Sequence, residues 1–222
     1  MKLSKETNEV LKNFAAINMS LLFKEGNVLR TVSPQKSVLA QAKITETFPR
    51  DFAIFDMNQF LSTVSAFEDP ELKFNEKNLT ISNGSGGTAY LTYAAPENIV
   101  SPPDKVIKLP SVDVSFTIEE KAMANALKMA GILALPEVAL VGRDGTTYLS
   151  AIDSRNKGTN KFELPVGTAS DIFTMIFKVE NLKMLSRDYD VEISSKGISH
   201  WTSKKGDVDY FIATETSSKF GE

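Results

Sequence analysis

Lysines carry the most informative spacing in this chain. Turned at about 100° per residue, a helix starting near Lys5 brings Lys5 and Lys12 together, opposite a stripe of Leu3, Val10 and Phe14. A helix starting near Ile118 does the same with Lys121 and Lys128, opposite Met123, Ala126, Leu127 and Ala130. Glu6 and Glu9 are assigned to a flank of the first helix, leaving both outermost strips basic and free of carboxylate. An ammonium group is a compact charge with three donors, so such strips suit weak, sequence-blind contact with phosphate oxygens. The bland reading is that solvent-facing helix positions simply favour lysine. Asn58, Gln59, Ser62 and Thr63, polar but uncharged, line the outside of a further helix and argue for restraint.

Catalytic constellations fit less well. His200 stands beside Trp201 in a predicted strand, and no Ser–His–acid set assembles around it. Asn83-Gly84-Ser85-Gly86-Gly87 lacks the Gly-Lys-Ser/Thr of a phosphate loop and joins strands, so it reads as a hairpin turn. Ser154-Arg155-Asn156-Lys157 matches a loose Ser-x-x-Lys pattern without any supporting motif. Asp188 with Asp190, and Asp207 with Asp209, alternate with other residues as solvated strand positions do. No catalytic or metal-ligating residue is assigned, no cofactor is expected, and the chain reads as a non-enzyme.

Composition sets the frame. The 222 residues are 42% hydrophobic and 24% charged, which is ordinary for a soluble globular protein. Net charge is −3 and the isoelectric point is near 5.4, whereas domains that hold nucleic acid by bulk charge sit above about 9. Polyanion contact must therefore come from local lysine placement. There is no cysteine, hence no disulfide framework or thiolate metal site. Met1-Lys2-Leu3-Ser4-Lys5 has no leader-like apolar region, and Gly131 to Leu135 is too short to span a bilayer, so a cytoplasmic protein is expected.

Positioning these lysines falls to one plan repeated four times, an amphipathic helix followed by strand-like runs. The helices are predicted to begin near Lys5, Asp56, Ile118 and Val179, a period of about 50–60 residues. Ser4 is expected to cap the first helix, Asp56 the second and Thr117 the third, with the fourth short and ending near Leu185. Lys183 and Arg187 ride on that fourth helix. Between Ala94 and Pro110 the period disappears and Pro96, Pro102, Pro103 and Pro110 accumulate. The chain is therefore read as α+β, with a domain at 1–100, a linker at 101–110 and a similar domain at 111–222, each holding two strand–helix–strands units.

Met1-Lys2-Leu3-Ser4-Lys5, Leu11-Lys12-Asn13-Phe14-Ala15 and Ile17-Asn18 resemble the start of the trimeric sliding clamp of T-even bacteriophages. Ala53-Ile54-Phe55-Asp56-Met57-Asn58-Gln59-Phe60-Leu61 is similar to that family's second strand–helix junction. Tyr93-Ala94-Ala95-Pro96 and Asn181-Leu182-Lys183-Met184 add to the likeness. It is specific over the first 65 residues or so and follows the plan more than the letter beyond them.

The resemblance implies the DNA-clamp fold, paired domains in a ring with helices lining the hole and sheets outside. It implies a polymerase processivity factor in the cytoplasm of an infected bacterium, set on double-stranded DNA by an ATP-dependent clamp loader. A second role in late transcription, with a sigma-like factor and a co-activator, comes with it. Matched residue by residue, Lys5, Lys12, Lys128 and Lys183 take the DNA-facing positions; Lys121 joins them from helical geometry alone. Ala130-Gly131 stands where a further basic residue is expected and Tyr93 where tryptophan is usual. A C-terminal peptide of the polymerase is expected in an apolar groove beside the linker, with Tyr93, Val106, Ile107 and Leu109 as the candidate pocket. Helices packed about 8–10 Å apart cover roughly 40 Å of arc per chain, against roughly 110 Å around a duplex, so three chains are needed. The competing reading is a phage structural or scaffolding protein with no DNA role.

Overall fold

The computed structural model describes residues 1–222 except Ser85, Lys157 and Glu222. The chain divides between Asp104 and Lys105 into two units, Met1–Asp104 and Lys105–Glu222, each with its own buried core.

In the first unit α1 spans Lys5–Ile17, with Ser4 accepting the Thr7 amide at 3.1 Å as its cap. Thr7, Val10, Leu11, Phe14 and Ile17 form its buried stripe. After it come β1 (Leu21–Phe23), β2 (Gly26–Val32), β3 (Val38–Phe48) and β4 (Phe52–Ile54). β2 and β3 make an antiparallel hairpin, and β1 pairs antiparallel with β4. Asp56 caps α2 (Met57–Ser65) by accepting the Gln59 amide at 2.9 Å. β5 (Glu71–Phe74), β6 (Asn78–Ser82) and β7 (Thr88–Thr92) form a sheet in that order. α1 packs on β2 and β3 and alongside α2. A phenylalanine cluster fills the space beneath. Phe23 stacks on Phe52 at 4.3 Å and meets Phe48 edge-on at 5.0 Å. Each such fully buried ring contributes about 1.5–3 kcal/mol.

The second unit opens with β8 (Val114–Ile118), α3 (Glu120–Ile132), β9 (Glu137–Arg143) and β10 (Thr146–Ile152). It continues with β11 (Phe162–Thr168), β12 (Phe173–Lys178), β13 (Tyr189–Ser194), β14 (Ile198–Ser203), β15 (Val208–Ala213) and β16 (Lys219–Phe220). One sheet runs β11-β10-β9-β12-β16; elsewhere β15, β14, β13 and β8 adjoin in that order. The β9–β10 hairpin turns on Asp144 and Gly145, both left-handed at φ 50° and 74°, the geometry that matches strand twist. Gly142 is needed opposite Phe173, because a Cβ there would come within 2.4 Å of the ring. α3 packs across β9, β10 and β11. Trp201, fully buried, meets Phe177 at 5.5 Å and Tyr189 at 6.3 Å.

Three expectations need correction. Thr117 does not cap the third helix. It lies in β8, its hydroxyl on Asp190 at 2.6 Å, and the buried Ile118 pairs with Tyr189. The helix starts two residues later than Ile118, at Glu120. Nor does the fourth helix form. Only a 3₁₀ turn, Val179–Asn181, is present. Two tyrosines take the backbone groups a helix would have used: the Leu185 amide donates to Tyr210 Oη at 3.1 Å, and Tyr189 Oη donates to the Leu185 carbonyl at 2.7 Å. Finally, β11 and β16 were not anticipated. β11 is an edge strand, only part-buried and containing Pro165, so it shows neither alternation nor an apolar run.

Candidate nucleic-acid interface

Lys5 and Lys12 are exposed on α1, and Lys121 and Lys128 on α3. None of the four is ion-paired among the described residues. By contrast Lys2, Lys24 and Lys204 are held by Asp69, Asp51 and Asp190. Each helix is 13 residues long, and its outer strip repeats the same spacing. Lys5, Glu9, Lys12 and Ala16 on α1 answer to Lys121, Asn125, Lys128 and Ile132 on α3, all exposed. Glu9 corrects the sequence reading. A step of four residues turns a helix by about 40° beyond a full circle, so Glu9 lies beside Lys5 rather than on a flank. Of the two basic strips, only that of α3 is free of carboxylate.

The start of each helix is secured by acceptors from elsewhere. On α1 the Glu46 carboxylate, from β3, takes the Ser4 amide and the Thr7 hydroxyl. Burial opposes its charged form, but these bonds and one from Thr45 outweigh it, and its pKa falls below the ordinary carboxylate value. On α3 the cap residue Glu119 makes no side-chain cap bond. Asp188 supplies the acceptor instead, taking the Glu120 amide at 2.8 Å.

Between α1 and α2 runs an open groove of about 490 Å³, lined by Lys12, Asn58, Leu61, Ser62, Ser65 and Ala66. The outer residues of α2 contribute no charge: Asn58, Gln59 and Ser62 are exposed and neutral. Lys183 is exposed in the segment after the 3₁₀ turn, not on a helix.

Of the candidate pocket residues, Tyr93 belongs to the first unit, its ring 5.3 Å from Phe52. Its hydroxyl is buried with no hydrogen-bond partner among the described residues, and burial raises its pKa. Val106, Ile107 and Leu109 lie at the start of the second unit; Val106 is 83% exposed, the other two half-buried.

The remaining sequence candidates have structural employment. His200 stacks on Phe211 at 4.3 Å, with Asp209 3.4 Å from one ring nitrogen and Glu192 4.0 Å from the other. Asp190 holds Lys204, which with its bond to Thr117 lowers its pKa. Asp207 accepts the Ser203 hydroxyl at 2.7 Å. Ser85 of the glycine-rich stretch and Lys157 of the Ser-x-x-Lys match lie outside the described residues. The sequence reads Asp188 only as a solvated strand position, and Asn58 and Ser62 only as an uncharged helix exterior. A cap reaching across 68 residues leaves no local signal, and a groove between two helices shows only once their packing is known.

Residues 4–101 match the family described as DNA polymerase processivity factor, and residues 115–216 match the gp45 sliding clamp, C terminal. The chain is 34% identical to the sliding clamp of Vibrio phage KVP40, over 97% of this chain and 99% of that one. It is 27% identical to the sliding clamp of Enterobacteria phage T4, over 98% of both. Among solved structures, the A. fulgidus PCNA bound to the C-terminal region of FEN-1 matches with a TM-score of 0.73 at 13% identity, over 98% of both chains. The Helicobacter pylori beta clamp bound to a DNA ligase peptide matches at TM-score 0.70 and 14% identity, over 97% of this chain and 65% of that one. At that identity they establish the DNA-clamp fold.

Proposed function

The chain belongs to the phage sliding-clamp family of DNA polymerase processivity factors, and from that premise we propose that it works as a closed homotrimeric ring around duplex DNA. The observation that carries this reading is the matched pair of 13-residue helices, one in each unit, each presenting two exposed lysines without an ion-pair partner among the described residues. Enclosure removes the need for affinity. Contacts to phosphate then have only to be weak, screened by salt and indifferent to sequence, which permits sliding. The net charge of −3 keeps the rest of the surface from gripping nucleic acid.

Ring closure is supported by the sheet edges. In the first unit the Leu72 amide on β5 bonds to the Met1 carbonyl, while β7 ends the sheet at its other side. In the second unit the short β16 covers β12, while β11 ends the sheet. Two different sheet edges, β7 and β11, suit a head-to-tail contact between copies, and such contacts form a ring where the rotation between copies closes. On the family likeness the polymerase is tethered through an apolar peptide, with Tyr93 in the first unit and Val106, Ile107 and Leu109 in the second as separate candidate contacts. Loading by an ATP-dependent clamp loader, a part in late transcription and residence in the infected bacterial cytoplasm rest on the family likeness.

Primer extension with polymerase, loader and clamp tests the function. The products should be much longer than without clamp. A variant carrying Lys5→Glu, Lys12→Glu, Lys121→Glu and Lys128→Glu should lose most of that gain while remaining trimeric by sedimentation. Equal product lengths with and without clamp would overturn the reading.

A further inference from the structure

The groove between α1 and α2 has the composition of an anion seat. Lys12 on one wall has no ion-pair partner among the described residues. On the other wall the side chains of Asn58 and Ser62 are exposed and make no hydrogen bond to any described residue. Ser65, beside them, has its hydroxyl on the Leu61 carbonyl at 2.7 Å, so its donor is spent. Leu61 forms an almost fully buried floor at 7% exposure. No aspartate or glutamate lies within α2. One full charge and two unspent neutral donors therefore converge on one opening with no carboxylate in its lining.

We propose that this groove seats a backbone phosphate of duplex DNA, with Lys12 supplying the charge and Asn58 and Ser62 the directional hydrogen bonds. The inference rests on the sliding-clamp reading and names which part of the lining touches the strand. The groove is open to solvent, so a backbone phosphate can arrive and leave without any part of the wall moving. The seat belongs to the first unit alone, because the second unit has a single α-helix among its described residues and a 3₁₀ turn where its partner helix was expected. A trimer would thus carry three such seats. Neutral donors beside a lone lysine orient the phosphate without a grip tight enough to halt sliding.

The test is the half-life of loaded clamp on closed circular DNA through a series of salt concentrations. Asn58→Asp is isosteric and falls in the first turn of α2, where the helix dipole favours an acid, so it does not weaken the fold. Gln59→Glu makes the same change of charge one residue away, outside the groove. Ser62→Ala removes a donor while improving helix propensity. N58D should shorten the half-life by about threefold or more, the scale of one surface charge contact in each of three copies. S62A should shorten it measurably, and Q59E should stay near the parent. Equal effects of N58D and Q59E, or parent-like behaviour of N58D and S62A, would overturn the seat. A parent protein that leaves closed circles as fast as linear DNA would instead overturn the sliding-clamp reading itself.

Discussion

Glu46 shows how a single side chain underwrites the lysine strip from behind. Its carboxylate takes the Ser4 amide and the Thr7 hydroxyl at the opening turn of α1, the turn that presents Lys5. Because its pKa is lower in the folded chain than unfolded, its contribution is fully present above the ordinary glutamate value and is lost as pH falls through the folded one. Glu46→Gln is expected to cost about 1.5–3 kcal/mol at neutral pH, the range for hydrogen bonds to a charged group. In acid the two proteins should converge, and denaturant melts at pH 7 and pH 3 measure this. A difference that persists unchanged at pH 3 would show that Glu46 acts by shape alone. Glu9, at the same scale, tempers the first strip, whereas Asn125 leaves the second without a carboxylate.

At the scale of elements, α3 depends on a distant partner. With no cap bond from Glu119, its first amide is satisfied by Asp188, at the end of the segment stapled by Tyr189 and Tyr210. Asp188→Ala should cost about 1 kcal/mol, the value of a lost cap. It should also speed amide exchange at Glu120, Lys121 and Ala122 while leaving α1 unchanged. Uniform protection across both helices would rule out this coupling. The same region marks where sequence was legible and where it was not. The starts of α1 and α2 could be read to the residue, since Ser4 and Asp56 cap them locally and their apolar stripes keep helical period. The fourth helix could not, because the tyrosines that capture Leu185 lie in later strands and their claim on its backbone is purely tertiary. β11 hid because an edge strand interrupted by Pro165 lacks alternation. In the candidate site the lysines were legible from helical spacing. Lys183 was placed on a helix that does not form, and the groove donors depended on how α1 meets α2.

For the whole molecule, three α-helices among the described residues instead of four alter the arithmetic of the proposed ring. At about 10 Å apiece, the nine helices of the proposed trimer would cover roughly 90 Å of an axial circle near 110 Å, which leaves about 20 Å to other segments. Four of the five candidate lysines thus stand on α1 and α3, and the exposed residues Asn58, Gln59 and Ser62 of α2 are neutral. Such a ring holds DNA by topology far more than by attraction. The measurement that tests this most directly is retention of loaded clamp on nicked circular DNA, followed by a single cut. The ring account predicts long retention on the intact circle, in salt that abolishes ordinary phosphate binding, and rapid release once ends are created. Release at the same rate before and after the cut would contradict it.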